Sequence, residues 1–403
     1  MSPADGPSGP LDGLRVVDFS GMIAGGYATM TLADFGADVI AVEHPEYHDP
    51  VRDWTPMDDG TSLWWKSLGR NKRCVTCDLK QDEGRALALE LLADADAVVE
   101  NFRPGTLEGW GLGPERLHEE NEELIVVRIS GYGQTGPKAE QPGFGTAAEA
   151  MSGFAHVNGF PDREPLLPPI ALADMAAGTT AVQSLLMALF ERDVTGSGQG
   201  QVIDVSLLES LFRFFPADVT KYDRTGETGE RLGNRHENAA PRNVYEAADG
   251  YVALSASQQS IFENLADIIG HPELVADPRF EDNAARVEHA DELDEYIAPW
   301  IAERSVEAVL AELRAGDAVV APIYDIEDIV TDEHYQARDA FVEIGDPDLG
   351  PTTTSAVVPK FSRTPGGVDH LGPRQGEHNH EVYVGDLGLD EATLGALREQ
   401  DVV

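Results

Sequence analysis

Short apolar runs alternate with amphipathic stretches through the first half of the chain. A strand is predicted at 14–20, then a Gly/Ala-rich turn, a helical stretch to Phe35 and a second strand at 37–44. A strand, a crossover helix and a strand form the unit that builds parallel sheets. The pattern continues with apolar strands at 73–79, 97–102 and 124–130 and a helix at 83–96. Roughly the first 210 residues therefore predict an open, doubly wound, Rossmann-like α/β domain.

The second half follows a different pattern. Residues 220–243 are rich in Gly, Asn and charge and predict a long connection, and Ala248-Asp249-Gly250 predicts a hairpin. Helices are predicted at about 258–270 and 291–314, and strand and turn patterns return after them, with a short helix at 390–399. We expect a large Rossmann-like domain over 1–220, a linker and small α+β domain over 221–320, and a segment 321–403 that returns to the large domain.

The strongest helical pattern lies at 172–200. Val182, Leu185, Leu186, Leu189 and Phe190 recur at helical spacing and predict a buried face, with Gly196 and Gly198 beyond its end. Asp174 stands at the start of this helix. On spacing alone, such an aspartate is most often an N-cap or a first-turn acid that stabilises the helix dipole.

The charge balance narrows the class of protein. Lys+Arg 29 against Asp+Glu 72 give a net charge of −43, which argues against binding nucleic acid or anionic membranes through a basic field. Lysine is scarce, and this composition is typical of a halophilic cytoplasm, with an acidic mesophilic protein as the alternative. The 2 cysteines, the lack of a secretory signal and the absence of about 18 consecutive uncharged apolar residues favour a cytoplasmic protein.

The few lysines are not evenly spread. Lys66, Lys72 and Lys80, with Arg70 and Arg73, crowd into one segment, and Arg103 follows the strand at 97–102. In a chain this acidic, an anionic ligand such as a nucleotide phosphate would need a local basic patch of this kind. The alternative is a solvated turn between strands.

Other motifs carry little weight. The segment 21–28 lacks the spacing of a phosphate loop, and Cys74 and Cys77 have no second pair with which to bind zinc. His378 and His380 are two histidines in a Gly- and Pro-rich tail, where surface positions are far more common than metal ligands. No metal site is predicted.

Six motifs in order resemble the family III CoA-transferases, which include formyl-CoA transferase and the carnitine CoA-transferases. They are LADFGADVIAVEHP (32–45), NKRCVTCDLK (71–80), AVVENFRPGTLEGWGLG (97–113), ISGYGQTGP (129–137), LADMAAG (172–178) and TGSGQGQVIDVSLLES (195–210). The tail from Ala321 matches the same family. The resemblance implies an interlocked-ring homodimer whose substrates are an acyl-CoA thioester and a carboxylic acid, with no metal or redox cofactor.

The resemblance also assigns a nucleophile. The family's catalytic aspartate falls on Asp174, whose carboxylate would attack a thioester to form an aspartyl anhydride and then an aspartyl-CoA thioester. A capping role and a nucleophilic role are compatible.

The resemblance also implies binding residues for the CoA moiety. The CoA contacts implied by the resemblance, together with the basic residues nearby, are His44, Arg73, Cys77, Asp78, Leu79, Lys80, Asn101, Phe102 and Arg103. Arg52, Arg235 and His236, with Arg242, are candidates for the remote carboxylate of the acceptor by position alone.

The sequence leaves one specific hypothesis and two alternatives for the reaction and its substrate. Phe144-Gly145 stands where formyl-CoA transferase has a Tyr-Glu pair, which argues against formyl-CoA or oxalate. The specific hypothesis is succinyl-CoA:mesaconate transfer. The alternatives are an α-methylacyl-CoA racemase, whose histidine base has no counterpart at 142–145, and a non-catalytic CoA-binding protein.

Overall fold

A computed structural model describes residues 9–403. The first part of the N-terminal segment, for which no secretory signal was predicted, therefore lies outside the described residues. A six-stranded parallel sheet has the order β5-β2-β1-β6-β7-β8. Its strands are rich in Val and Ile, which suit a sheet buried on both faces. The strands are β1 (Arg15–Asp18), β2 (Asp38–Glu43), β3 (Met57–Asp58), β4 (Thr61–Ser62), β5 (Arg73–Thr76), β6 (Ala97–Glu100), β7 (Ile125–Ser130), β8 (Val202–Ser206), β9 (Arg242–Ala247), β10 (Gly250–Ser255), β11 (Val319–Pro322), β12 (Phe341–Asp346) and β13 (Gly350–Ser355).

Helices connect the parallel strands, as the predicted crossover pattern requires. The first of them, α1, ends before Gly36, whose φ of +97° suits the left-handed position after a helix. The helices are α1 (Met22–Asp34), α2 (Leu63–Leu68), α3 (Asp82–Ala93), α4 (Thr106–Gly109), α5 (Pro114–Glu120), α6 (Gly145–Met151), α7 (Phe154–Val157), α8 (Leu172–Phe190), α9 (Leu207–Phe212), α10 (Asp218–Thr225), α11 (Gln259–Ile268), α12 (Asn283–Glu288), α13 (Ala290–Ala302), α14 (Val306–Ala315), α15 (Ile326–Thr331), α16 (Glu333–Ala337) and α17 (Glu391–Glu399).

The chain divides into two compact units. The large unit holds residues 9–154, 167–219 and 336–403, and the small unit holds residues 155–166 and 220–335. The predicted α/β class with an open parallel sheet is confirmed, and the structure adds small antiparallel sheets to it.

Both faces of the parallel sheet carry a core. Alternate strand residues such as Val17 and Val98 pack with α3, α5 and the C-terminal residues Tyr383 and Val402 on one face. Their neighbours, such as Val16, pack with α1, α8 and α9 on the other face. The C-terminal segment therefore forms part of the core of the large unit.

The small unit has its own core. Strands β9 and β10 pair as an antiparallel hairpin, with register Ala247↔Gly250, and β11 pairs with the other edge of β10. Helices α11, α13 and α14 cover this sheet with Phe262, Ile297 and Leu313. The hairpin at 248–250 is confirmed, whereas the predicted connection over 220–243 is partly wrong because α10 ends within it.

Helix α8 differs from its prediction on one side. Leu185 and Leu189 are buried, but Leu186 and Phe190 are 39% and 58% exposed, so the predicted buried face is too wide. With the π-helical turn that follows, Leu172–Thr195 is long and apolar enough to cross a membrane by length and composition. Its inner face packs in the core beneath the sheet, as in a soluble protein, and we assign it as a core helix.

Candidate active site

A cavity of about 310 Å³ opens at the carboxyl ends of the parallel strands. Ser20 and Gly21 follow β1, His44 follows β2, the segment 77–80 follows β5 and Phe102 follows β6, and all of them line it. The sheet order reverses between β1 and β6, and open α/β sheets bind ligands at such a switch point. The cavity is therefore where this fold class holds a nucleotide-like ligand.

Three side chains hold the turn that lines this cavity between β1 and α1. Asp18 accepts a hydrogen bond from the Ser20 N–H at 2.9 Å, and Asn101 accepts one from the Gly21 N–H at 3.0 Å. Asp49 accepts from the Met22 N–H at 3.0 Å. Met22 has a φ of +63°, which a residue with a side chain adopts only where its surroundings impose it. The turn is thus fixed in one conformation.

Several predicted CoA contacts come together here. His44, Cys77, Asp78, Leu79, Lys80 and Phe102 all line the cavity. The His44 Nε2 lies 3.5 Å from Asp78 Oδ1. Burial opposes ionisation of Asp78, but the hydrogen bonds from the Lys80 N–H and the Gln81 side chain, together with the Lys80 ammonium, outweigh it and lower the pKa of this carboxyl. Asn101 supports the turn from behind by bonding both the N–H and the carbonyl of Gly21.

Two predicted contacts lie elsewhere. The Arg73 guanidinium is held by Asp38, Asp386 and Glu381 and does not line the cavity. Arg103 is exposed, is not among the cavity's lining residues and forms no ion pair with any residue in 9–403.

The basic cluster around Lys66–Lys80 is not a free anion-binding patch, so that interpretation is wrong. Lys66 is buried between Asp346 and Asp348, and Arg70 pairs with Asp34. Lys72 pairs with Asp18 at 3.2 Å, so it supports the Ser20 turn from inside the fold. Lys80 is exposed and faces the cavity, where it can meet an anion.

Trp110, which the sequence reasoning missed as a site residue, forms part of the cavity wall. Its ring meets Phe102 edge to face at 5.0 Å, and the Lys80 ammonium lies 6.0 Å from its centroid. An aromatic face beside a cation suits a flat heteroaromatic ring carrying phosphate. The GWGLG segment after the Asn-Phe pair was the available signal.

Asp174 lies in the first turn of α8 but does not cap it. Ala171 is the N-cap residue, and no side chain completes the cap. Asp174 is the third helical residue, so the N-cap alternative is wrong and the first-turn position is confirmed.

A second carboxylate and a glycine adjoin Asp174. Glu149, from α6, accepts the Ala173 N–H at 3.4 Å. A Cβ at Gly145 would overlap Asp174 Oδ2 and would lie 3.8 Å from Glu149 Oε1. Burial raises the pKa of Asp174 to about 6, and the Glu149 charge acts in the same direction. Asp174 is thus an ionisable carboxylate in a crowded, partly desolvated position, as an enzymatic nucleophile often is.

One apolar cluster connects the cavity turn with the start of α8. Met22, which follows Gly21, packs on the same cluster as Ala171 and Met175, which flank Asp174 in sequence. Asp49 lines the cavity and holds Met22. The turn at 20–22 and the residues around Asp174 therefore pack against the same apolar cluster.

The side chains predicted to bind the remote carboxylate of the acceptor interact with other residues of the chain. Arg52, in the large unit, pairs with Glu43 at 2.5 Å and stacks on Trp65 at 3.7 Å. In the small unit, Arg235 pairs with Asp291 and Asp294. His236 and Arg242 line a cavity of about 260 Å³ in that unit, and Arg242 donates to the Asn234 carbonyl. The structure places Arg52 in one unit and the other three in the second unit.

Comparison with known proteins identifies the family to which the chain belongs. The profile of CoA-transferase family III matches residues 11–379. The chain is 43% identical over 399 residues to succinyl-CoA–D-citramalate CoA-transferase of Chloroflexus aurantiacus, covering 98% of this chain and 99% of that protein. It is 40% identical over 399 residues to the beta subunit of succinyl-CoA–L-malate CoA-transferase of the same organism, covering 98% of each chain.

A solved structure agrees with this. The crystal structure of a CAIB/BAIF family protein from Brucella suis superposes with a TM-score of 0.84 at 33% identity, covering 94% of this chain and 100% of that one. The motifs, the fold and these relatives together show that the chain is an enzyme of CoA-transferase family III.

Proposed function

We propose that this enzyme moves CoA from succinyl-CoA to a small dicarboxylate, with Asp174 as the nucleophile. The observation that carries the proposal is the partly desolvated Asp174 carboxylate in the first turn of α8, packed closely against Gly145. Two relatives are named for transfer of CoA from succinyl-CoA to citramalate and to malate, and both acceptors are small dicarboxylates.

The first half-reaction balances without a cofactor. The Asp174 carboxylate attacks the thioester carbonyl, the C–S bond breaks, and its electron pair leaves on sulfur as CoA thiolate. The thiolate then attacks the aspartyl carbonyl of the mixed anhydride. Succinate leaves, and an aspartyl-CoA thioester remains on the enzyme.

The second half-reaction runs in reverse order. The acceptor carboxylate attacks the aspartyl-CoA carbonyl and expels CoA thiolate, which gives a second anhydride. The thiolate attacks the acceptor carbonyl, which forms the new thioester and restores the Asp174 carboxylate.

Gly145 allows the Asp174 carboxylate to pack directly against α6. A Cβ at this position would overlap Asp174 Oδ2, so the observed position of the nucleophile requires glycine here. The racemase alternative is disfavoured because residues 142–145, where a racemase of this fold would carry its histidine base, contain no histidine. Mesaconate is the acceptor we propose first.

We assign the CoA moiety to the cavity at the strand ends. His44, Cys77, Asp78, Leu79, Lys80, Phe102 and Trp110 would contact it, with Asn101 behind the turn. Lys80 supplies the exposed positive charge.

We also propose an interlocked homodimer in a halophilic cytoplasm. Apolar side chains such as Met187, Phe190, Phe214 and Val358 are 58–75% exposed, which is unusual in a chain with a net charge of −43 and fits burial by a second copy.

A panel of donors and acceptors tests the proposed reaction. Succinyl-CoA, acetyl-CoA and formyl-CoA are each paired with mesaconate, citramalate, malate, oxalate and carnitine at high salt. We expect transfer from succinyl-CoA to at least one small dicarboxylate and little transfer from formyl-CoA. Transfer confined to oxalate or carnitine would contradict the substrate class, and solvent deuterium appearing at the α-carbon without any acceptor would support the racemase alternative.

A further inference from the structure

Glu149 is the exception among the buried acids of the described chain. Asp18, Asp34, Glu43, Glu100 and Asp346 each pair with a lysine or arginine. Glu149 is 4% exposed, and no lysine, arginine or histidine in residues 9–403 pairs with it. A buried carboxylate without a counter-charge is costly, so its position needs another explanation.

Its surroundings point to Asp174. The Glu149 carboxylate accepts the N–H of Ala173, which precedes Asp174, and the two carboxylates lie beside the same glycine. Ionisable groups on the other elements packed against α8 are Tyr27 and Asp34 on α1, Arg128 on β7, Asp204 on β8, Glu209 on α9 and the charged residues 191–193 of the π-helical turn. Among all of these, Glu149 is the group whose charge acts on Asp174.

We propose that Glu149 is a positioning residue that fixes the first turn of α8 and, through its charge, makes the neighbouring Asp174 carboxylate more reactive. The inference rests on the proposed role of Asp174 as the nucleophile.

The chemistry of the first step explains how this works. Attack on the thioester removes the negative charge from Asp174 and places it on the CoA sulfur, which leaves as thiolate. Repulsion from Glu149 raises the energy of the free carboxylate but not that of the neutral anhydride. The like charge therefore favours the covalent states over the resting enzyme.

The pH dependence of the wild-type enzyme follows from the same contact. Burial, and then the Glu149 charge, raise the pKa of Asp174 to about 6. The nucleophile is ionised above this value, so the rate of acylation should fall as the pH drops through about 6.

Glu149→Gln is the direct test, because glutamine keeps the acceptor for the Ala173 N–H and removes the charge. Rapid-quench measurement of Asp174 acylation by succinyl-CoA, across a pH series, gives the rate and its acidic limb. We expect acylation about tenfold slower at pH 8 and an acidic limb about one pH unit lower. Glu149→Asp, which retains the charge, should keep the acidic limb close to that of the wild type.

Glu209→Gln is the matched control, since Glu209 is an exposed acid on α9, which also packs against α8. It should leave both the rate and the limb unchanged. If Glu149→Gln does not fold, Glu149→Leu takes its place in the same measurement. An unmoved acidic limb in the folded neutral variant would overturn the inference.

The outcome separates this inference from the proposed function. If wild-type Asp174 is not acylated by succinyl-CoA or another acyl-CoA donor, the nucleophile assignment itself fails. If Asp174 is acylated equally fast in the wild type and in Glu149→Gln with the same acidic limb, only the role of Glu149 is overturned.

Discussion

Apart from Glu149, the buried acids among the described residues of the large unit each pair with a lysine or arginine. Lys66 with Asp346, Lys72 with Asp18 and Arg128 with Glu100 each satisfy an acid that the sheet or its loops bury. Burial outweighs the arginine in the case of Glu100 and raises the pKa of that carboxyl, which underlines how costly an unpaired charge would be. Most of the lysines and arginines that cluster between residues 66 and 80 therefore form ion pairs with acids inside the fold.

The basic cluster between residues 66 and 80 was wrongly predicted to bind an anion because its ion-pair partners are distant in sequence. The cluster of lysines is visible in the sequence, but the partner of Lys66 lies 280 residues away at Asp346. No local pattern shows such a pairing. Lys80 alone among the five predicted basic residues both lines the cavity and is exposed, and its place after β5 could be predicted from the strand pattern.

Asp49 gives a prediction at the residue scale. It accepts the N–H groups of Met22 and Val51, and burial raises its pKa to about 6. Asp49→Ala leaves both donors without this acceptor and should raise the KM for succinyl-CoA about tenfold by loosening the 20–22 turn. Asp49→Asn keeps an acceptor oxygen and should stay within about threefold of the wild type. Steady-state kinetics decide, and equal KM values for both variants would contradict this role.

At the scale of elements, the parallel sheet could be predicted and the details of its helices could not. Continuous Val- and Ile-rich runs separated by helical stretches indicate β1, β2, β5, β6 and β7, and the ligand cavity lies at their carboxyl ends as the fold class requires. Helix α8 was predicted from its periodicity. Which side it buries could not be predicted, because Leu186 and Phe190 are as apolar as Leu185.

The contact between α6 and the start of α8 could not be predicted from the sequence either. Gly145 and Glu149 are one turn apart on α6, and the sequence offers no sign that both face Asp174. Only the packing of the two helices brings the second carboxylate to the first.

Lys80 tests the assignment of the strand-end cavity. We expect Lys80→Gln to raise the KM for succinyl-CoA about tenfold with little change in kcat, because an exposed cation beside Trp110 would bind CoA phosphate equally in all states. Lys360→Gln removes a lysine that is exposed and paired with Asp339, and serves as the control. Initial-rate measurements at fixed salt would show this, and equal KM values for the two variants would remove Lys80 from the site.

At the scale of the whole molecule, the surface combines strong negative charge with exposed apolar groups. A charge of −43 repels itself at low ionic strength, where the Debye length is about 10 Å at 0.1 M salt. Multimolar salt screens the repulsion and strengthens apolar contacts, including those between copies of the chain. The amino-acid composition predicts this charge repulsion. The exposed apolar surface can be recognised only from the positions of the helices in the structure.

Salt should therefore control both stability and assembly. We expect the thermal midpoint to rise steadily between about 0.1 M and about 3 M KCl. Sedimentation equilibrium at the high end should give twice the mass of one chain. A midpoint independent of salt would contradict the halophilic interpretation, and a monomer at high salt would contradict the homodimer.

The identity of the group that carries the acyl and CoA intermediates is the central claim. The most direct measurement is peptide mass spectrometry after brief incubation with succinyl-CoA and trapping with hydroxylamine, which converts an aspartyl thioester or anhydride into a hydroxamate. We predict a donor-dependent hydroxamate at Asp174, with Asp49 and Glu149 unmodified, and no turnover in Asp174→Ala. An unmodified Asp174 in an enzyme that still transfers CoA, or an active Asp174→Ala variant, would contradict the account.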